Sequence, residues 1–386
     1  MLAHAQVLES ITPSATAEHP ALAMSSLLYS PAVQQIPRIS QALFSPILTS
    51  PLLLAVTYAP DGVRHVLGPV TSRLPGHITA ALKLATVKTA LQIILGFGIV
   101  RYINQLLNSM AHNSWRLRAA TGWNWPNEIA VVTGGSSGIG SCIVDRLVAL
   151  GLRVAIFDVQ DLPKNLQSNP RVSFYQCDVT SSESVAEAAD ALRRELGHPS
   201  ILINNAGVTQ PTPILKMPES FLRRIFGVNL MSMWFTTQQF LPRMIQLNKG
   251  HVITVASIAS FVALPSGADY SATKAGALAF HEALASELKH LYKSPNVLTT
   301  VVHPNFVRTP LIEDLVNSLE SSGVRLLTPD DIAKEVVSQI ESKRGGQLII
   351  PSSASGISGI RGWPTWLQEL LRDTVGRSAA KQLAGQ

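Results

Sequence analysis

An apolar, strand-like run from Ile129 to Val132 leads into Thr133-Gly134-Gly135-Ser136-Ser137-Gly138-Ile139-Gly140, and no other feature restricts this chain as much. A strand that passes through glycines into a helix turns backbone N–H groups, and the positive end of the helix dipole, toward whatever lies above it. Glycines at 134, 138 and 140 allow the tight turn, the close approach of a ligand and the packing of helix on sheet. A doubly charged pyrophosphate is the group such a junction suits.

Strand-like runs recur at Arg153–Asp158, Val172–Asp178, Ile201–Asn204, His251–Ser257, Val297–His303 and Gln347–Pro351, with helix-length segments between most of them. This alternation predicts an α/β fold, a doubly wound parallel sheet of Rossmann type with helices on both faces. It would fill residues 126–351, with an apolar N-terminal extension over 1–125 and a tail over 352–386. The 386-residue chain carries a net charge of +6. Eight Lys/Arg and three acids fall within residues 1–125, so almost all of that charge belongs to the extension. The high pI therefore gives no reason to expect nucleic acid on the sheet domain. It points the extension toward an anionic surface such as lipid headgroups. Cys142 and Cys177 are too few for a disulfide framework and read as reduced, buried thiols.

Within the extension, residues 1–45 read as poorly ordered, rich in Ala, Ser, Pro and Gln. Pro46 to Ala59 is a short apolar stretch suited to an interfacial or re-entrant segment. Ala80 to Val100, twenty-one residues, would reach about 32 Å as a helix, enough to cross a hydrocarbon core. Lys83 and Lys88 weaken that reading unless they snorkel, and a buried helix of a soluble extension is the alternative. No charged start with an apolar core lies within the first thirty residues, so a cleaved secretory signal is not expected. Arg101, Arg116 and Arg118 favour a cytosol-facing domain.

The chemistry is written further along. Tyr270 and Lys274 stand four apart and so share a helix face, with Ser257 thirteen residues and Asn229 forty-one residues upstream of Tyr270. Moving a hydride between an alcohol and a nicotinamide requires a proton to move at the same oxygen. A tyrosine of ordinary pKa, near 10, is a poor base until a neighbouring cation stabilises its phenolate. Ser257 would stabilise charge on the substrate oxygen. Asp158, closing the second strand, can accept from both adenosine ribose hydroxyls and would repel a 2′-phosphate. No Lys or Arg lies in the glycine turn. NAD is thus expected in preference to NADP.

In this order these motifs resemble the short-chain dehydrogenase/reductase superfamily, from about Asn127 to Pro351. The glycine spacing, GxxxGxG, is the form found in that family. The resemblance implies catalytic roles for Asn229, Ser257, Tyr270 and Lys274, with Lys274 also bonding the nicotinamide ribose and Asn229 holding a relay water. It implies that the cofactor is held by Gly134, Ser136, Ser137, Gly138, Ile139, Gly140, Asp158, Asp178, Val179, Asn205, Ala206 and Gly207, together with Tyr270, Lys274, Pro304, Val307 and Thr309. A structural role for Asn204 and Asn205 is the alternative. The family usually reads Pro-Gly where this chain has Pro304-Asn305. Asn tolerates left-handed backbone, which would preserve the turn. A homodimer through the helices carrying Asn229 and Tyr270 is also implied.

Leu311, Ile312, Leu315, Val316 and Leu319 recur at helical spacing and predict one apolar face over the substrate, in a mobile segment. That suits a hydrophobic alcohol or ketone (a retinoid, steroid or lipid); ordinary core packing is the alternative. Trp363, Trp366 and Leu367 fit an interfacial helix or a packed tail. With Trp115, Trp123 and Trp125 bridging anchor and domain, the layout is similar to membrane-associated retinol and hydroxysteroid dehydrogenases. The expected location is the endoplasmic reticulum or lipid droplet, with the catalytic domain facing the cytosol. The rivals are a ketoreductase of secondary metabolism on a soluble substrate and a non-catalytic, dinucleotide-binding membrane scaffold.

Overall fold

The computed structural model describes residues 42–71, 84–321 and 324–384. The expectation of disorder over 1–45 falls mostly outside them, as do Lys83 and the start of the predicted 80–100 helix. Among the described residues three helices precede the sheet: α1 (Pro46–Tyr58), α2 (Pro60–Thr71) and α3 (Leu84–His112). At 29 residues, α3 runs twelve residues past Val100, where the sequence reading stopped. Tyr102, Asn104, Gln105 and Asn108 end the all-round apolar run but form helix as readily as apolar residues do, so the helix outlasts the pattern that predicted it.

α1 lies against α3 through a close approach at Gly98. A Cβ there would stand 2.4 Å from the Phe44 carbonyl oxygen, so only glycine admits the contact. Phe44 and Phe97 meet edge to face, ring centroids 6.5 Å apart. Little else is covered. Ile47, Leu48, Leu52, Ile93, Phe97, Val100, Ile103, Leu106 and Leu107 are all exposed. α3 is the one described helix long and apolar enough to cross a membrane.

The sheet follows: β1 (Ile129–Thr133), α4 (Gly138–Ala149), β2 (Arg153–Asp158), β3 (Val172–Gln176), α5 (Ser182–Glu195) and β4 (Ile201–Asn204). Next come α6 (Glu219–Phe226), α7 (Ser232–Leu247), β5 (Gly250–Val255), α8 (Ala268–His290), β6 (Val297–Pro304), α9 (Pro329–Glu341) and β7 (Gly346–Ile350), and the chain closes with α10 (Thr365–Ala384). All seven strands are parallel, in the order β3-β2-β1-β4-β5-β6-β7. The predicted fold is the one found. The strand limits move by one or two residues, β3 ending at Gln176 rather than Asp178.

Along β1 successive residues feed opposite faces: Val131 packs with α5, α7 and α8, while Ala130 and Val132 pack with α4 and α9. The strand order reverses between β1 and β4. A crevice therefore opens above the carboxyl ends of these two strands, where ligands of such sheets bind.

The bridge from α3 to β1 is held to the domain by backbone acceptors. Lys289 donates to the Ala111 carbonyl at 3.2 Å, Arg344 to Leu117 at 2.7 Å, and the Ala120 N–H to Lys343 at 2.9 Å. Ser114 and Trp115 both take left-handed backbone (φ 55° and 60°), which ends the helix abruptly. Trp123 and Trp125 pack together, centroids 5.6 Å apart.

Two sequence expectations fail at the substrate end. Residues 311–319 do not make one helix: a 3-10 segment, Pro310–Leu315, breaks at Ile312 before a short helix, Val316–Ser321. Val316 and Leu319 are buried while Leu311 is exposed, so the apolar residues do not share a face. Asn305 does not take positive φ. Its N–H donates to the Ile350 carbonyl at 2.8 Å, which prolongs the β6–β7 ladder through the place where a Pro-Gly turn was expected.

Candidate active site

The glycine turn sits at the reversal point. Gly134 and Gly138 take φ of +64° and +55°. A Cβ on Gly134 would stand 2.9 Å from the Ala206 Cα, and one on Gly140 only 2.0 Å from the Gly134 carbonyl oxygen. Ser137 precedes α4 without capping it, and the first turn of that helix carries no acid. Its leading N–H groups are thus left for an anion. Ser137 is exposed, Ser136 buried and Ile139 partly packed into the core.

Asp158 is buried and already engaged. Its carboxylate accepts from the Ser136 N–H at 2.9 Å and the Gln160 N–H at 3.0 Å. It braces the glycine turn and keeps further acceptor lone pairs. Asn205 spends its amide on the carbonyls of Thr133 and Gly134, both at 3.0 Å, while the N–H groups of Asn205 and Ala206 share the Thr133 hydroxyl. This side chain ties the end of β4 to the end of β1. Asp178 is turned onto Thr180, whose N–H and hydroxyl it accepts, with Val179 buried beside it. Thr309 lies against Gly138, 3.4 Å from where a Cβ would stand. Val307 bridges to Leu327.

Asn229, Ser257, Tyr270 and Lys274 converge at the same end of the sheet. Asn229 is no helix cap. It lies in a π-helical turn, Gly227–Met231, continuous with α6 and α7, a form met mostly at functional sites. Fully buried, its amide brackets Val208, accepting from the N–H at 2.8 Å and donating to the carbonyl at 2.9 Å. Gly207 brings it close to the lysine: a Cβ there would lie 3.7 Å from the Asn229 carbonyl oxygen and 3.8 Å from Lys274 Nζ.

Lys274 Nζ donates to the Val255 carbonyl at 2.9 Å and stands 5.6 Å from the centre of the Tyr270 ring. Burial lowers its pKa to about 8. Burial raises the Tyr270 phenol above its ordinary value, and a hydrogen bond with Ser257 opposes that. The ammonium faces Val255, and the groups that shift the phenol are the surrounding burial and Ser257. Ser257 accepts from the Ala259 N–H at 3.1 Å, and its hydroxyl is 3.5 Å from the Pro304 carbonyl, a long contact.

Residues 128–320 match the family model described as short chain dehydrogenase. The chain belongs to that family. Over 180 residues it is 40% identical to "Dehydrogenase RED2" of Cochliobolus heterostrophus, covering 47% of this chain and 68% of the relative. It is 30% identical over 232 residues to "Estradiol 17-beta-dehydrogenase 11" of Homo sapiens, covering 58% and 75%. To "Retinol dehydrogenase 10-B" of Danio rerio it is 42% identical over 155 residues, covering 40% and 45%. A short chain dehydrogenase/reductase from Burkholderia phymatum, solved with NAD, shares the fold at a TM-score of 0.58 and 22% identity, over 64% of this chain and 97% of that one. This short-chain dehydrogenase is therefore an oxidoreductase acting on alcohols or their carbonyls.

Neither His303, which bonds the Ser257 carbonyl, nor Gln347, which bonds His303, was singled out in the sequence. Neither belongs to a motif, and the contacts span 44 and 46 positions, beyond what local spacing signals.

Proposed function

We propose that this short-chain dehydrogenase interconverts a hydrophobic primary or secondary alcohol and its carbonyl at a membrane surface, using NAD. The observation that carries the reading is the meeting of Ser257, Tyr270 and Lys274 beside an uncapped glycine turn. A nicotinamide cofactor held at the glycine turn would supply the hydride acceptor for oxidation and, in reduced form, the donor for reduction. The chain's own residues manage the proton. Ser257 binds the substrate oxygen, and Tyr270 takes its proton in the oxidative direction or supplies one in reduction. Lys274, buried and near 8, is poised to pass that proton on, with Asn229 positioned behind it.

The preference for NAD rests on Asp158. Its carboxylate, held in place by Ser136 and Gln160, has lone pairs for ribose hydroxyls, and a 2′-phosphate would meet its charge. The membrane rests on α1 and α3, whose apolar side chains are largely uncovered among the described residues. A homodimer through α7 and α8 fits the exposed Trp234, which packs on Phe280 with ring centroids 4.6 Å apart.

The test follows reduced-nicotinamide absorbance with the full chain in detergent, against retinoids, steroids and aliphatic alcohols and carbonyls, with each cofactor. Turnover that falls about a thousandfold in Tyr270→Phe, with NADH still bound, is expected. NADH binding without turnover on any substrate would instead favour the scaffold.

A further inference from the structure

The β5–β6 ladder stops one residue short of the candidate catalytic serine: its last backbone bond runs from the Ala256 N–H to the Val302 carbonyl, 2.8 Å. Beyond it a side chain takes over. His303, fully buried in β6, places Nδ1 3.1 Å from the Ser257 carbonyl oxygen and 2.9 Å from the Ser260 hydroxyl. The Ser260 hydroxyl itself donates to the Ser257 carbonyl at 2.6 Å. On the far side of the ring, Nε2 is 3.3 Å from the Gln347 amide nitrogen. Phe261 packs over the imidazole, centroids 4.5 Å apart and 37° between planes.

One tautomer meets all of these contacts together. A carbonyl oxygen only accepts, so Nδ1 must carry the hydrogen that reaches Ser257. Nε2 is then an acceptor, and the Gln347 amide supplies the donor it needs. Every polar atom of the ring is used, and the ring is held on the side opposite its bond to the serine.

We infer that His303 is a positioning residue for the reaction: its neutral imidazole donates to the Ser257 carbonyl and so sets where the Ser257 hydroxyl stands against Tyr270. Gln347 and Phe261 hold the imidazole, and His303 holds the serine. The inference rests on the catalytic reading of Ser257 and Tyr270. It assigns the placement of the serine to a residue that touches neither substrate nor cofactor.

Small misplacements of a catalytic group are costly, and about an ångström can cost a hundredfold in rate. His303→Leu removes the donor and keeps an apolar side chain in the site. It should lower kcat by roughly tenfold to a hundredfold with little change in the Kd for NADH. Because the bond from Ser257 opposes the rise that burial gives the Tyr270 pKa, the alkaline-rising limb of the oxidative rate should also move upward. His303→Asn, which can offer an amide N–H from nearly the position of Nδ1, should recover most of the rate and the wild-type profile.

The control is His251→Leu. His251 is equally buried in β5, but it bonds Thr300 at 2.8 Å, at the end of the sheet away from the site. It should cost stability without moving the profile. If His303→Leu and His251→Leu behave alike, losing active fraction but keeping the wild-type pH profile and KM, His303 is merely part of the core and the inference fails. Absence of turnover in wild type and all variants would overturn the catalytic reading itself. Loss of turnover in Tyr270→Phe alone, with His303→Leu like wild type, would overturn only the role of His303.

Discussion

Ile203, in β4, has no exposed surface, whereas Ile103, in α3, keeps 49% of its own. The two residues stand for two regions of similar apolar content and opposite outcome. In the sheet, period-two alternation sends successive side chains to two faces, and each face has its own crossover helices to cover it. In α1 and α3 the apolar residues run around much of the helix and meet only one another. Burying such a side chain is worth about 1.5–3 kcal/mol. The catalytic domain collects that within the chain. The helical pair leaves it to be collected from outside, and a lipid phase is the apolar medium its length and composition suit.

The widest separation should come from matched truncations. Ile203→Ala opens a cavity between sheet and helices and should cost about 2–5 kcal/mol in denaturant unfolding. Ile103→Ala should cost under about 0.5 kcal/mol in detergent. It should weaken partition onto phosphatidylcholine vesicles measured by flotation. Similar unfolding losses would mean that α3 is buried after all, and the contrast between the regions would collapse.

A pair of glycines gives a smaller effect of the same kind. Gly140→Ala forces a Cβ onto the Gly134 carbonyl and the Asn205 amide, and overpacking of this sort costs about 1–3 kcal/mol. Backbone cannot rotate aside, so the turn must open and NADH affinity should fall by about tenfold or more, read by fluorescence titration. Gly98→Ala meets the Phe44 carbonyl as closely. It should part α1 from α3 while leaving NADH affinity unchanged. If Gly98→Ala also impaired cofactor binding, the two regions would be mechanically linked through the clamp at Ala111 to Ala120.

What the sequence made legible follows the same division. The glycine turn, all seven strands and the convergence of Ser257, Tyr270 and Lys274 are local patterns or lie at strand ends, so the fold brings them together wherever it forms. The long-range contacts were out of reach. Glu128 binds Lys249 and Ser200, both at 2.6 Å, and Gln347 reaches His303, across separations that no periodicity encodes. Asp158 and Asn205 were found as site residues, but the part of each that braces the turn was not weighed for Asp158 and was left open for Asn205. At Asn305 the reading failed because its N–H had a partner in β7, and a paired N–H extends the strand instead of turning it. Helical spacing over 311–319 misled because Ile312 breaks the helix it implies.

A third contrast separates the regions by pH. His251 and His281 are held neutral by burial, with pKa lowered to about 3, and His303 to about 4. The facing groups agree in direction, since Lys274 lowers His303 further and the histidines lower His281, while the Ser257 carbonyl alone opposes, at His303. In the unfolded chain these imidazoles would titrate near 6.5. Between about pH 6.5 and pH 4 the unfolded state therefore binds more protons than the folded one, and stability must fall as pH falls through that window. With those values each histidine costs about 2 kcal/mol of stability by pH 5. The catalytic domain should lose several degrees of Tm between pH 7 and pH 5, and His251→Asn should flatten that slope. The apolar side chains of α1 and α3 do not titrate, so binding to neutral phosphatidylcholine vesicles should hold steady across the interval in which the sheet weakens. A vesicle-binding curve that tracked the Tm would place buried titrating groups under the helical pair and erase the distinction.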